Sequence, residues 1–406
     1  MVSGFHIRPP LPVFPPRAAL SHRSARFLFE SCRARCLRQR GVKRDLVRFR
    51  GPEPVTRGLR VGVVGATGMV GRVLLERLER SRFPIGSLLP FSSGRKQVAV
   101  SFRGRRVPAP GLSRTALLSC DLVFLVSSDE ISLKYGRELA RSGVWVIDDS
   151  AAFRMAADVP LIIPEVNEGA LRRNKRLIAG PNCTTAGLAV ALKPIHEKGT
   201  LERVRMASYQ AVSGAGRQAL FEFYAQARRS ARALSGSNPL PAVPRLAADI
   251  FPKPIAMNLF PQIGGFGPEG DTSEELKVRR EMRKLFGLAK LEVSTTAVRV
   301  PVIRGHSLAV WVQTRRAVSP ATARAALKKA PGVRVWAEGR YPTPLAEGTG
   351  DPTHVARIRR SGTGSRELSM WIVSDNLLKG AALNSIQIAE TLRRRGWLKP
   401  RGKGGA

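Results

Sequence analysis

The chain has 406 residues, 43% of them hydrophobic, enough to bury two full-sized cores. It holds no run of about 18 apolar residues, so no membrane-spanning helix is expected. Its 68 Lys/Arg against 30 Asp/Glu give a net charge of +38, a balance that raises nucleic acid or another polyanion as a partner. The charges are scattered along the chain, however, and not gathered with aromatics into a stripe. That is the pattern of a solvated basic surface, and nucleic acid is not expected. The four cysteines, Cys32, Cys36, Cys120 and Cys183, are too few for a disulfide scaffold and fit a reducing compartment. Cys32 and Cys36 have no second ligand pair beside them, so no metal site is expected.

Residues 1–58 form a basic extension with 13 Lys/Arg, 3 Asp/Glu and proline clusters at Pro9-Pro10 and Pro15-Pro16. Three readings are open: an organelle transit peptide, an over-extended start with Val55 as the alternative, or a disordered basic arm. The over-extended start is the working expectation, with a cytoplasmic chain; a transit peptide would place it in an organelle. Ordered structure is predicted from Leu59. RVGVVG (60–65) reads as a strand, and Val70, Val73, Leu74 and Leu78 fall at helical spacing after it. DLVFLVSS (121–128) and VWVIDDS (144–150) read as further strands reached through crossovers, which predicts a mostly parallel sheet.

GATGMVG (65–71) lies between that first strand and helix. A glycine turn there lets a backbone approach a pyrophosphate, with helix N-terminal N–H groups facing the anion. Gly65, Thr67, Gly68, Met69, Val70 and Gly71 are the expected contacts. At the next strand end an NAD site usually offers an acid to the ribose. The stretch LLPFSSGRKQV (88–98) offers Ser92, Ser93, Arg95 and Lys96 instead, which suits a 2′-phosphate and predicts NADP.

GPNCTT (180–185) sets Cys183 at a helix start, where the N-terminus favours a thiolate nucleophile. Asn182 and Thr184 can cap that helix. TTAGLAVALKPIHEKG reads as a helix and RVRMASYQAVSGAG (203–216) as one long strand. After a Pro-rich stretch (239–254), SEELKVRREMRKLFG reads as a charged helix, and VSTTAVRVPV and SLAVWVQT as strands. These predict a second, α+β domain with a more antiparallel sheet. DNLLKGAALNSIQIAETLRRRG reads as an amphipathic helix that packs back on the first domain. The expected division is residues 59–183 for the dinucleotide-binding domain, 184–369 for the catalytic and dimerisation domain, and 370–395 for the returning helix. The fold class is thus α/β, a Rossmann-type domain joined to an α+β domain.

These segments, in this order, resemble the aspartate-semialdehyde dehydrogenase family: GATGMVG, SSGRK, DDSAAFRMAADVPLIIPEVN (148–167), GPNCTT, SYQAVSGAG, EELK (274–277), AVRVPVIRGHS (297–307) and SDNLLKGAALNSIQIAE (374–390). The resemblance implies reduction of 4-phospho-aspartate to aspartate semialdehyde by NADPH, toward lysine, methionine and threonine. It implies Cys183 as acyl-thioester nucleophile, His306 as general acid/base, and Gln210 as an amide that positions the substrate. Arg299 would hold the α-carboxylate and Glu274 the α-ammonium. Arg154 and Lys277 would bind phosphate, and Asn182 would contact substrate beside the cysteine. Ser213, Gly214 and Asn376 would face the cofactor. Relatives imply a homodimer or tetramer. The family's IDNSSAFRM reads IDDSAAFRM here, so Asp149 and Ala151 replace two polar groups. N-acetyl-glutamyl-phosphate and malonyl-CoA reductases are enzyme alternatives, against which EELK and SYQAVSGAG argue. A basic nucleic-acid-binding protein is the alternative from another class, but it gives Cys183, Gln210, Arg299 and His306 no purpose.

Overall fold

A run of apolar residues between two turns has to be buried on both faces, and that decides the first half of the molecule. The computed structural model describes residues 58–233, 246–348, 350–362 and 366–401, which belong to one compact unit. The basic extension up to residue 57, with Cys32, Cys36 and Val55, lies outside the described residues, as do residues 239–245 of the Pro-rich stretch. β1 (Leu59–Val64) is buried along nearly its whole length. After the glycine turn, α1 (Met69–Arg80) buries Leu74, Leu75 and Leu78. The chain continues through β2 (Ile85–Phe91), the hairpin of β3 (Ala99–Phe102) and β4 (Arg105–Pro108), and the short α2 (Arg114–Leu118). Then come β5 (Leu122–Leu125), α3 (Asp129–Arg141), β6 (Trp145–Asp148), α4 (Pro164–Asn167) and β7 (Leu177–Ala179).

The five strands make one parallel sheet in the order β2-β1-β5-β6-β7. The chain moves outward from β1 to β2, then returns to lay β5 on the other side of β1. The carboxyl ends therefore flank a crevice at the change of direction, where such sheets bind ligands.

α5 (Cys183–Gly199) leaves this sheet and is buried all round from Thr184 to Leu192. A helix apolar on every face belongs in a core. It packs on a second sheet, built from β8 (Leu201–Gln210), β9 (Glu292–Arg299), β10 (His306–Thr314), β11 (Val333–Val335), β12 (Thr353–Arg360) and β13 (Glu367–Ser374). The order is β11-β12-β13-β10-β8-β9. The sheet is mixed: β8 and β9 run parallel, as do β11 and β12, while the inner pairs are antiparallel. Parallel neighbours need a long crossover. The β8–β9 crossover carries α6 (Arg217–Ala233) and α7 (Ser273–Phe286), and α8 (Pro320–Lys329) precedes β11.

Two elements depart from the sequence reading. The strand expected over 203–216 stops at Gln210 and turns through a 3-10 segment, Val212–Ala215, where Val212 N and Ser213 N donate to Val302 O and Ile303 O; Gly216, at φ +93°, caps that segment. The C-terminal segment is not one regular helix. A π-turn at Leu378–Ala382 comes first, and α9 (Leu383–Arg394) follows. The turn brings Gly380 so near Cys183 that a Cβ there would lie 2.7 Å from the cysteine Cβ. α9 then joins Ile386, Ala389 and Leu392 to the core around Val61, Leu74 and Ile147.

No helix of the described residues is long and apolar enough to cross a membrane. At Gly187, α5 presses on β13: an added Cβ would sit 2.2 Å from Ser374 Oγ and 2.9 Å from its Cβ. Overpacking of a filled core costs about 1–3 kcal/mol. Gly187→Ala is expected to lower unfolding stability by about that amount. Urea titration of the variant against the parent chain measures it, and an unchanged midpoint would refute the tight contact.

Candidate active site

The carboxyl edge of the parallel sheet meets the edge of the mixed sheet where β8 and β9 end and β10 begins. Register makes that second edge. Gln210 pairs beside Arg299, Tyr209 lies opposite Ser307, and His306 lies opposite Ser374. Between the two edges lies a cleft of about 360 Å³. Arg154, Asn182, Cys183, Gln210, Ser213, Gly214, Glu274, Lys277, Arg299 and Asn376 all line it, with Val70 from α1. His306 lies behind the wall, fully buried.

Cys183 is the first residue of α5, and Asn182 is its N-cap. The Asn182 Oδ1 accepts from Thr184 N (2.9 Å) and Thr185 N (3.2 Å), which satisfies two N–H groups that a helix start leaves bare. Its Nδ2 donates to Glu274 Oε1 at 2.9 Å, and Gln210 Nε2 donates to the same oxygen at 3.2 Å. Cys183 Sγ is 3.2 Å from His306 Nε2. On the other side of that ring, Ala211 N donates to Nδ1 at 3.1 Å. A backbone amide can only donate, so Nδ1 carries no proton and the neutral ring carries its hydrogen on Nε2, facing the sulfur. Burial first, and the Arg299 charge second, push the imidazole down to about 3, so it is neutral at ordinary pH.

The sulfur behaves differently from what a helix start alone would give. Burial, and then the Glu274 carboxylate, push the Cys183 thiol up to about 12, against the opposing pull of Arg154, Arg299 and the Thr184 amide. Desolvation and a like charge outweigh the helix N-terminus here.

Three cations face the cleft. Arg299 donates from Nη1 to Ala211 O at 2.7 Å, lies 5.8 Å from the Phe251 ring, and keeps its buried Nε unpartnered. Arg154 donates to Glu281 Oε1 at 3.1 Å and to Asp149 O at 2.8 Å, and its Nε is also unpartnered. Lys277 is half-buried on α7, one turn beyond Glu274. Buried guanidinium groups with spare donors are suited to an anionic ligand.

The glycine turn sits at the edge of the same crevice. Gly65 takes φ +82°, and a Cβ there would lie 2.4 Å from Val126 O. A Cβ on Gly71 would lie 2.2 Å from Gly65 O. Gly68 caps α1 with no side chain, so the N–H groups at the Met69 end have no side-chain acceptor. Backbone donors in a cradle only glycine can form fit a pyrophosphate. Thr67 O accepts from Arg72 Nε. At the end of β2, Ser93, Arg95 and Lys96 are exposed. Ser92 is buried instead, donating to Ala109 O at 2.7 Å and accepting from Gly94 N, so its hydroxyl shapes the loop. The Asn376 amide is likewise occupied, donating to Ser213 Oγ (3.0 Å) and accepting from Gly305 N (2.9 Å).

Sequence reasoning missed Glu281, Lys284 and the Ala211 amide. Glu281 and Lys284 carry a signal, since they fall seven and ten residues after Glu274 and so share its helix face. A backbone amide carries none.

Among known proteins, residues 60–174 match the semialdehyde dehydrogenase NAD binding domain, and residues 192–379 match the semialdehyde dehydrogenase dimerisation domain. The chain is 40% identical to the aspartate-semialdehyde dehydrogenase of Shewanella violacea, over 82% of this chain and 97% of that one. It is 37% identical to that of Synechocystis, over 86% of this chain and all of the other. The crystal structure of aspartate semialdehyde dehydrogenase II from Vibrio cholerae superposes with a TM-score of 0.77 at 35% identity, over 83% of this chain and 99% of that one. The same enzyme complexed with ASA superposes at 0.78, with 34% identity and 84% and 99% covered. The chain belongs to the aspartate-semialdehyde dehydrogenase family.

Proposed function

We propose that this chain reduces 4-phospho-L-aspartate to L-aspartate 4-semialdehyde, with release of phosphate, through a thioester on Cys183. The observation that carries the proposal is one sulfur 3.2 Å from an imidazole Nε2, at a helix start walled by Arg154, Lys277 and Arg299. The ASA bound to the Vibrio cholerae relative supports this substrate. Arg299 holds the α-carboxylate and Glu274 the α-ammonium. Gln210 and Asn182, both tied to Glu274, set the substrate beside the sulfur. Arg154 and Lys277 take the phosphate.

The Cys183 sulfur attacks the acyl carbon; a C–S bond forms, the acyl C–O bond breaks, and the thiol proton leaves on the phosphate, which departs as hydrogen phosphate beside the two cations. Covalent catalysis divides one hard step in two. The family's dinucleotide, read here as NADPH, supplies a hydride when bound, and the Gly65–Gly71 turn, Ser213 and Gly214 would hold it. Ser93, Arg95 and Lys96, with no acid among them, are the reason for preferring the 2′-phosphate form. The thiohemiacetal then collapses: the carbonyl re-forms, C–S breaks, and sulfur leaves as thiolate, which takes up one proton from solvent to return to the resting thiol. His306 serves both steps from Nε2, donating to charge on sulfur or on the neighbouring oxygen and moving the proton between them.

In the cell the reaction would feed lysine, methionine and threonine synthesis in the cytoplasm, consistent with Cys120 and Cys183 as free thiols. A homodimer or tetramer is supported by the match to a dimerisation domain and by apolar surface on α6, where Phe221 and Tyr224 are exposed and Phe221 shares a groove with Ile250. Nucleic acid and membrane have no part in this reading.

The decisive assay is phosphate-dependent reduction of NADP by aspartate semialdehyde. Parent chain is expected to be active, and Cys183→Ala to lose at least about a thousandfold in kcat. A folded, NADP-binding parent with no such activity would overturn the substrate, and N-acetyl-glutamate semialdehyde would be tested next. Arg299→Lys replaces a planar fork by a point charge, and is expected to raise KM for the semialdehyde about 10–100-fold. In the free protein the raised thiol predicts that iodoacetamide alkylation of Cys183 climbs steadily from pH 7 to about 10. A plateau with a midpoint below pH 8 would contradict the buried, Glu274-facing sulfur.

A further inference from the structure

Glu281 is almost wholly buried, at 1% exposure, and reaches two functional groups with its two oxygens. Oε1 accepts from Arg154 Nη1 at 3.1 Å, and Oε2 accepts from the backbone N of Asn182 at 2.6 Å. One carboxylate therefore joins the cation at one side of the cleft to the cap residue that immediately precedes Cys183. The neighbouring position on the same helix face does the rest. Lys284 Nζ donates to the carbonyl oxygens of Arg154 (2.7 Å), Ala156 (2.8 Å) and Val159 (2.9 Å), and so closes the loop that carries Arg154. Glu274, Lys277, Glu281 and Lys284 follow one another at three- and four-residue spacing, so a single stripe of α7 addresses substrate, cation and nucleophile.

We infer that Glu281 is a positioning residue that sets the distance between the phosphate cation Arg154 and the Cys183 sulfur. It touches neither substrate nor the reacting atoms; it acts through Arg154 and Asn182. The carboxylate is needed in both halves for different reasons. Toward Asn182 any oxygen acceptor of the right reach suffices. Toward Arg154 only an anion does, because a carboxamide in that place can turn its NH2 toward the guanidinium, donor against donor. The inference rests on the reading of Arg154 as the phosphate cation, and the test separates the two.

The experiment uses the full chain with three substitutions: Glu281→Gln, Glu281→Ala and Arg154→Met. Two quantities are measured for each: KM for inorganic phosphate in the phosphate-dependent oxidation of aspartate semialdehyde, and the rate of Cys183 alkylation by iodoacetamide, which needs no substrate. Glu281→Ala is expected to raise phosphate KM at least tenfold, to leave KM for NADP within threefold, and to change the alkylation rate at least fivefold. Glu281→Gln, nearly isosteric and so the safer variant for folding, is expected to restore the alkylation rate while phosphate KM stays high. That split is not what a merely structural residue would give. If both variants leave phosphate KM within twofold of the parent, or if Gln and Ala move both quantities together, the inference is overturned. If Arg154→Met leaves phosphate KM unchanged, the phosphate reading of Arg154 fails instead; unaltered alkylation in Glu281→Ala would then overturn the hold on Cys183 independently.

Discussion

Two buried carboxylates on one face of α7, Glu274 and Glu281, need donors, and the donors they find are the groups that build the site. Burying a carboxylate is costly unless hydrogen bonds or a cation answer it. Glu274 is answered by the Asn182 and Gln210 amides, and Glu281 by Arg154 and the Asn182 backbone. Asn182 appears in both sets. It is the residue through which the parallel sheet hands the chain to α5, so the demand made by α7 fixes the start of that helix. The sulfur follows as the next residue. α7 is itself held, since Glu275 closes a capping box with Thr272 and reaches Ala297 N on β9 at 2.8 Å.

The histidine is set by an independent constraint. His306 begins β10, and its ring is placed by the register of that strand against β8 and β13. The Ala211 amide then determines which nitrogen carries the proton. A buried neutral imidazole with Nε2–H toward sulfur and an uncharged thiol are mutually consistent: neither group is stabilised as an ion in the free protein. Arg154 and Arg299 are charges already in place, held by desolvated partners before substrate arrives. Preorganised charges of this kind need no rearrangement when the reacting group becomes anionic.

The glycines that matter do different jobs. Gly65 and Gly71 allow the tight turn after β1, where a Cβ would strike the Val126 and Gly65 carbonyl oxygens. Gly380 clears the space over Cys183, where even a methyl group would strike the cysteine. The π-turn that carries Gly380 is stabilised by Asp375, whose Oδ1 accepts from Leu377 N and Leu378 N and from Arg304 Nε. The returning α9 is thus more than cover for the first sheet, since its lead-in forms part of the cysteine's wall.

The α/β class and the strand–glycine–helix opening were legible in the amino-acid sequence, and the resemblance to a family supplied the candidates for the reacting groups. The first two rest on local rules: apolar runs, 3.6-residue spacing, and a glycine turn confined to a few neighbouring residues. That resemblance grouped Cys183, His306 and Arg299 as candidates, but gave none of the distances between them. Tertiary structure alone decided the rest. The end of β8 at Gln210, the mixed character of the second sheet, and the π-turn before α9 all follow from contacts between segments far apart in sequence. So do Glu281, 99 residues from the amide it accepts from, and the tautomer of His306, set by an amide 95 residues away. The helix start also suggested a stabilised thiolate, whereas burial beside Glu274 makes the free sulfur a thiol. Local sequence specifies which groups a chain can offer. Only the packed fold specifies which of them are deprived of water, and by whose charge that loss is answered.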